Sequence, residues 1–268
     1  MTWPLHGRVA LVTGSGRGLG RAIADHLARL GASLVVHDIN HEAPAEFDEA
    51  PNLAAVAAAI AQHGNRTLAL TADIADELAV SRLVETATAE LGAIDILVNC
   101  AGGDIAARGG KPKPNDALGI PMADVRALLD RNLIGTMIVS RAVCPSMIAR
   151  RTGAVVNIAS VAAHQGVTDG VAYAVVKAAI VQFTRCLAKD LRPHGVRVNA
   201  ISPGPTMTAR FLATRKIDPQ QSDIRVPLER YGQPAEIADA VTFLCGDAAR
   251  FVSGQVLCVD GGRALYAS

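Results

Sequence analysis

Residues 8–31 read RVALVTGSGRGLGRAIADHLARLG. Arg8 to Thr13 are a short apolar run of strand character, and Gly14 to Gly20 a glycine-rich turn. A helical pattern follows, with Leu19, Ile23, Leu27 and Leu30 on one face and Gly31 as its stop. Strand, glycine turn and helix together aim backbone N–H groups and the positive end of a helix dipole at a pyrophosphate. The glycines admit a close approach that a Cβ would block. Their spacing, Gly14-x-x-x-Gly18-x-Gly20, departs from the strict G-x-G-x-x-G dinucleotide pattern. Taken alone the loop reads equally as a plain turn; its place between a strand and an amphipathic helix favours the nucleotide.

Working outward, strand-like runs recur at Val9–Thr13, Leu34–His37, Thr67–Thr71, Ile96–Asn99, Ala154–Ala159, Arg197–Ile201 and Gln255–Val259. Helical patterns separate them, among them Leu53–Gln62 and Ile237–Leu244, which opens behind Pro234. Such alternation predicts a Rossmann-type, doubly wound parallel sheet of about seven strands in a three-layer α/β/α arrangement. Ligands then sit at the carboxyl ends of the strands. No repeat, low-complexity tract or linker divides the chain, so residues 1–268 are expected to be one domain. Two segments interrupt the alternation. Gly103–Pro121 is rich in glycine and proline and long for a loop. Pro203–Tyr231 follows the sixth strand, carries a short helical stretch and reads as a lid.

Tyr173 and Lys177 lie in YAVVKAAIVQFTRCLAKDL, whose apolar stripe is Ile180, Phe183, Leu187 and Leu191. Positions i and i+4 stack on one helix face, so a phenol and an ammonium are held side by side. A nearby cation favours phenolate and should lower the tyrosine pKa from its ordinary value of about 10. A tyrosine tuned in this way exchanges a proton with a carbonyl or alcohol oxygen. An isolated Tyr-x-x-x-Lys pair is otherwise an ordinary pair of helix-surface neighbours.

These residues together resemble the short-chain dehydrogenase/reductase family. Thr13-Gly14-x-x-x-Gly18-x-Gly20 is similar to its cofactor turn, Ser160 to its catalytic serine and Tyr173-x-x-x-Lys177 to its catalytic pair. Asn132 in RNLIGT matches its fourth catalytic position. Asn99-Cys100-Ala101-Gly102 resembles its Asn-Asn-Ala-Gly motif, with Cys100 where the second asparagine is usual. Pro203-Gly204 and the ending SGQVLCVDGG also match, so the likeness runs from about residue 5 to residue 262.

The resemblance implies an oxidoreductase in which Tyr173 is the acid/base and Ser160 fixes the substrate oxygen. It gives Lys177 the nicotinamide ribose, and Asn132 a water that links the lysine to solvent. The cofactor set it implies is Gly14, Ser15, Arg17, Gly18, Leu19, Gly20, Asp38, Asp73, Ile74, Asn99, Ala101, Gly102, Tyr173, Lys177, Pro203, Gly204 and Thr206. It also implies a homotetramer built on the helices of Asn132 and Tyr173, with Met137, Val143, Met147, Val175, Ala179 and Phe183 as outward-facing candidates. The bland alternative covers those residues with Gly103–Pro121.

Asp38 ends the second strand, where a carboxylate can accept from ribose hydroxyls and repel the 2′-phosphate of NADP. Its other reading is a turn aspartate. Arg17 pulls the other way, since an arginine there could meet a 2′-phosphate. The expectation is NAD, with NADP less favoured. Asp73 either lies beside the adenine ring or caps the next helix. His164, Gln165, Thr206, Met207, Thr208 and Arg210 are the expected substrate lining. They favour a polar alcohol such as a polyol, sugar or hydroxy acid. An NADPH-dependent 3-oxoacyl-(acyl-carrier-protein) reductase is the first alternative, and a non-catalytic nucleotide-binding regulatory protein the second.

A formal net charge of +1 gives no general attraction to nucleic acid or anionic membrane. No apolar stretch in the sequence approaches the ~20 residues of a membrane span, and the N-terminus lacks the pattern of a secretion signal. Five scattered cysteines without C-x-x-C spacing suggest reduced thiols and a cytoplasmic protein. No metal site is expected; His37 and His41 read as a solvated pair.

Overall fold

A computed structural model describes residues 4–265. The outer ends of the expected domain, 1–3 and 266–268, lie outside it. Seven parallel strands form one sheet in the order β3-β2-β1-β4-β5-β6-β7. They are β1 (Val9–Val12), β2 (Ser33–Asp38), β3 (Thr67–Thr71), β4 (Ile96–Asn99), β5 (Gly153–Ile158), β6 (Val196–Pro203) and β7 (Val256–Val259). Each expected strand is present within a few residues at either end.

The strands are apolar on successive residues because both faces are covered. In β1, Ala10 and Val12 join the core under α1 (Gly18–Arg29), α2 (Leu53–Ala61) and α8 (Pro234–Cys245). Val9 and Leu11 join the opposite core, under α3 (Glu77–Leu91), α5 (Gly135–Arg150) and α6 (Val171–Leu191). Ile23 and Leu27 of α1 are fully buried; burying such a side chain is worth about 1.5–3 kcal/mol. Strand order reverses between β1 and β4, which are in register from Ala10↔Ile96 to Val12↔Val98. A crevice opens at their carboxyl ends, the place where such sheets hold ligands.

Helix α6 buries a face slightly different from the expected stripe. Ile180 and Leu191 are buried, but Lys177, Thr184 and Ala188 share that face while Phe183 and Leu187 are half-buried. Small and polar residues there let α6 approach the sheet and reach its polar groups. Val143 and Met147, expected to face outward, are 1% and 0% exposed, because α5 packs on the sheet beside α3. Val175 does face outward, at 61% exposure, and Met137 is half-buried.

Two continuous helical stretches, Met122–Arg150 and Val171–His194, are long and apolar enough to cross a membrane, with mean hydropathies of 1.3 and 1.4. This corrects the sequence expectation. Helix α4 (Met122–Leu129), a π-helical turn over Asp130–Ile134 and α5 run on without a break, and charged residues hide that length in a linear reading. Much of their apolar surface is used against the sheet. Residues 103–121 contain no helix or strand, as their composition predicts, and the segment after β6 carries the short helix α7 (Ala209–Thr214).

Candidate active site

The glycine turn leaves β1 on a hydroxyl. Thr13 Oγ1 accepts from the N–H groups of Cys100 and Ala101, at 3.0 and 3.1 Å, which fastens the turn to the end of β4. Gly14 has φ +65°, and a Cβ there would lie 2.7 Å from the Ala101 Cα. Gly20 is equally obligatory, since its Cβ would meet the Gly14 carbonyl oxygen at 2.2 Å. Ser15 is wholly buried: its Oγ donates to Val12 O at 2.7 Å and accepts from the His37 N–H at 2.9 Å.

His37, expected to be solvated, is instead 1% exposed. Its Nδ1 faces the Gly14 N–H at 3.4 Å and its Nε2 faces Ala72 O at 3.1 Å. Burial holds its pKa below the usual histidine value, with Asp38 opposing. A neutral imidazole donating from Nε2 satisfies both contacts. The available signal is the unbroken apolar run of β2, which marks a strand covered on both faces and leaves His37 no route to water.

Asp38 ends β2 buried, with Oδ1 accepting from the Ile39 N–H at 2.9 Å. Its other oxygen lies over Gly16, where a Cβ would come within 2.7 Å. Arg17 points away from this carboxylate, pairing with Glu46 and stacking on the Phe47 ring at 4.9 Å. Helix α1 has no side-chain cap from Arg17; the Gly18 N–H donates instead to Glu49 Oε2 at 2.7 Å. Leu19 packs against the core beneath the turn. Glu46 and Glu49 were not foreseen, because the loop after β2 has no periodicity to read.

The remaining members of the expected cofactor set separate into two groups. Asp73 is exposed and closes its own turn onto the Ala75 N–H, while Asp76 caps α3. Ile74 is buried against Gly135, whose Cβ would meet it at 2.5 Å. Asn99 turns down into the sheet, donating to Ser140 Oγ at 3.1 Å and to Asn157 Oδ1 at 2.8 Å. Ala101 and Gly102 do line the crevice end. Gly204 packs tightly on Asp260, and Thr206 Oγ1 donates back to Gly204 O.

The groups expected to carry chemistry meet beyond β5. Ser160 opens the short turn Val161–His164, accepting from the Ala162 N–H at 3.2 Å, and its hydroxyl lies close enough to the Tyr173 phenol to favour phenolate. Asn132 lies in the π-helical turn, fully buried rather than on a helix surface. Its Oδ1 accepts from the Gly103 N–H at 2.8 Å, and its Nδ2 donates to Leu128 O at 2.9 Å and Gly103 O at 3.2 Å. Gly102 needs its φ of +139° and bare Cα to clear that amide. Lys177 is 4% exposed, and its Nζ donates to Ile158 O at 2.7 Å, 5.5 Å from the Tyr173 ring centroid.

This arrangement corrects the expected electrostatics. Burial pushes the Tyr173 phenol up to about 12, opposed by the Ser160 hydrogen bond and the charges of Arg210 and Arg215. The ammonium of Lys177 is spent on the carbonyl at the end of β5, so the cations acting on the phenol come from the lid. Burial lowers Lys177 to about 8 and raises the Cys100 thiol to about 12, with Lys177 opposing. His164 turns from the mouth to face Ser202 Oγ at 2.8 Å.

The mouth is roofed by the two irregular segments. Thr208 caps α7 by accepting from the Phe211 N–H, and Phe211 stands edge-on to Tyr231 with centroids 5.1 Å apart. Arg210 Nη2 donates to Asp104 O at 3.0 Å. Asp104 and Asn115 bond each other in the 103–121 segment, whose backbone accepts from the Gly170 N–H at the head of α6. That segment covers the head of α6, not the outward faces of the helices. Asp169 pairs with both Lys111 and Arg215. Among the described residues no cluster of histidine, cysteine, aspartate and glutamate suits a metal ion.

The crevice fits a dinucleotide. Bare Cα atoms at Gly14 and Gly16 let the turn pack onto Ala101 and Asp38, Asp38 offers a carboxylate to ribose hydroxyls, and α1 offers phosphate the first-turn amides beyond Gly18, whose N–H goes to Glu49. The family model described as Enoyl-(Acyl carrier protein) reductase matches residues 14–264. The chain belongs to the short-chain dehydrogenase/reductase family, oxidoreductases that act on CH–OH groups with a nicotinamide cofactor.

It is similar to the 7alpha-hydroxysteroid dehydrogenase of Escherichia coli (strain K12), 38% identical over 260 residues covering 96% of this chain and 94% of that one. It is also similar to a 3-oxoacyl-[acyl-carrier-protein] reductase of Synechocystis sp., 34% identical over 98% of this chain and 99% of the relative. A solved 7alpha-hydroxysteroid dehydrogenase complexed with NADH and 7-oxo glycochenodeoxycholic acid superposes with a TM-score of 0.84. It is 37% identical and covers 97% of this chain and 96% of its own.

Proposed function

We propose that this single-domain protein is an NAD-dependent dehydrogenase that interconverts a polar secondary alcohol and its ketone. Polyols, sugars and hydroxy acids are the favoured classes. The observation that carries this reading is the meeting of Ser160, Tyr173 and Lys177 at one mouth, with the Lys177 ammonium 5.5 Å from the Tyr173 ring centroid and the Ser160 hydroxyl acting on its phenol, at the crevice beside the buried Asp38. Bound nicotinamide supplies a carbon that takes or returns a hydride. The chain's own groups supply everything else.

Ser160 holds the substrate oxygen toward Tyr173, so the reacting atoms meet without a search. Tyr173 takes the hydroxyl proton in oxidation and returns it in reduction. Its raised pKa means that phenolate must be favoured at the moment of reaction, and Ser160 and the lid cations act in that direction. Lys177 has donors beyond the one given to Ile158 O and is suited to ribose hydroxyls. Asn132 holds Gly103 and so sets the floor of the substrate site; this packing supports a positioning role. The turn residues Gly14 to Gly20, with Ala101, Gly102, Pro203, Gly204 and Thr206, form the cofactor wall. Asp73, Ile74 and Asn99 act through the packing behind it.

Asp38 favours NAD, and the Glu46 pairing of Arg17 weakens the case for a 2′-phosphate. The reading is tested by oxidising a panel of polyols, sugars, hydroxy acids and apolar alcohols with NAD and with NADP. Turnover of polar alcohols with NAD is expected. Exclusive reduction of 3-oxoacyl thioesters with NADPH would instead support the 3-oxoacyl-(acyl-carrier-protein) reductase reading, which relatives of that name favour.

We also propose a cytoplasmic homotetramer. Exposed Ile134 and Val175, at 39% and 61%, give the two long helices an apolar outer face that a neighbouring copy would cover. Light scattering should give a mass near four chains; a monomer mass would defeat this assembly.

A further inference from the structure

The lid brings one cation to the mouth without a counter-ion. Arg210, in the first turn of α7, lies over Gly103 so closely that a Cβ there would meet Nη1 at 2.2 Å. Only glycine, at φ +139°, leaves room for the guanidinium. Its Nη2 bonds the Asp104 backbone carbonyl, while the Asp104 carboxyl turns aside to Asn115 at 2.9 Å. Of the other lid and mouth cations, Arg215 and Lys111 pair with Asp169, Arg230 with Glu236 and Arg17 with Glu46, while Arg108, Lys113 and Lys216 are exposed to water. Among the described residues no carboxylate is in ion-pair contact with Arg210. It is nevertheless half-buried and within electrostatic reach of the Tyr173 phenol.

A guanidinium withdrawn from water without an anion is costly, and its planar fork of donors suits a carboxylate. Nη2 keeps a second N–H, which can make such a fork with a neighbouring nitrogen of the same guanidinium. The mouth has a surplus of positive charge as well, since three cations, Arg210, Arg215 and Lys111, face two carboxyls, the exposed Asp169 and the buried Asp104, whose pKa burial raises.

We propose that Arg210 is a specificity-determining residue that seats the carboxylate of the substrate, so that the natural alcohol is a hydroxy acid and its product the oxo acid. The proposal rests on the dehydrogenase reading above. Its redox step is the one that reading supplies: the carbinol C–H gives its hydride to the nicotinamide, the hydroxyl proton goes to Tyr173, and the carbonyl forms. The carboxylate is unchanged and serves only as the handle.

Matched pairs test it: 3-hydroxybutyrate against 3-hydroxybutyramide, lactate against lactamide, gluconate against gluconamide. With NAD, at least one acid should exceed its amide by about tenfold or more in kcat/KM, a difference of about 1.4 kcal/mol. Arg210→Gln acts on both substrates through Tyr173, but should lower kcat/KM for the acid about tenfold more than for the amide and so remove the advantage. Arg210→Lys should restore part of it. Calorimetric titration of the same pairs into the enzyme–NADH complex reads the anion site without turnover and should rank them in the same order. Equal handling of every acid and amide, or no acid bound in calorimetry, would overturn the proposal. So would Arg210→Gln weakening NADH binding about tenfold, since the anion at Arg210 would then be the cofactor's pyrophosphate. Binding of the acids without oxidation would keep the carboxylate site and reject the dehydrogenase reading instead.

Discussion

The floor and the roof of the crevice are built by different physics. The floor is the carboxyl ends of seven strands, where Thr13, His37 and Asn132 are locked by hydrogen bonds that are wholly or partly buried. The roof is two segments, one without regular structure and one with a short helix, held by Arg210 on a carbonyl and by ion pairs through Asp169. Buried bonds fix atoms to the tolerance that proton and hydride transfer require. Exposed ion pairs cost little to break, as an opening surface requires. Chemistry should therefore be sensitive to the floor, and selectivity and access to the roof.

The hardest blow to the floor is Tyr173→Phe. Turnover should fall by about 10²–10⁴-fold, with NADH binding and the thermal midpoint preserved; loss of cofactor binding would mean the hydroxyl is structural. Next is Lys177→Met, which removes an ammonium that burial holds at about 8 against an ordinary 10.5. Because the folded pKa is depressed, the destabilisation is fully present below pH 8 and is relieved as pH rises through 8 toward 10.5. At about 1.4 kcal/mol per tenfold change, the variant should be more stable than the parent near pH 7 by up to about 3 kcal/mol, while inactive. Denaturant titration at pH 7 and above pH 10 should show this gain shrinking; a constant gain would refute the buried-charge account.

Asp38→Ala should reduce the preference for NAD over NADP by about tenfold, or about 1.4 kcal/mol, in fluorescence titrations of the reduced cofactors. Parallel weakening of both would show that Asp38 only shapes the turn. The gentlest change is in the roof. Asp169→Asn should cost less than about 1 kcal/mol of stability, and high salt should erase the difference. A stability loss as large as that expected of a floor residue would break the distinction between the two regions.

The floor was also the legible region. All seven strands follow from apolar runs between turn signals, and the helix of Tyr173 and Lys177 from its period. Sequence spacing brought Ser160, Tyr173 and Lys177 to one mouth, but it could not show that Lys177 would turn to Ile158 O. That choice depends on a carbonyl left free nineteen positions away, at the end of another element. Asn132 was read as a helix residue, and its burial depends on a π-helical turn that leaves no mark on a hydrophobic period. Glu46 lies in a single short helical turn, Ala43–Phe47, and Glu49 and Asp104 in aperiodic loops, where partners are set by tertiary docking alone.

The amides beneath the crevice have a consequence for how the chain reaches this arrangement at all. Asn99 and Asn157 face each other in register across β4 and β5, and Asn157 continues the chain of bonds to Thr184 of α6 at 2.9 Å. If β5 slid by one residue, its side chains would change faces, and Asn157 would lose both Asn99 and Thr184 and be stranded in hydrocarbon. Each stranded group costs about 1–3 kcal/mol, where a slipped valine would cost far less. An aliphatic strand such as VALV carries little information about alignment, so the wrong pairings available to a folding chain are many and nearly equal. The polar ladder makes them unequal. Ser160 lies three residues beyond Asn157, so the same proofreading of alignment during folding delivers its hydroxyl to Tyr173.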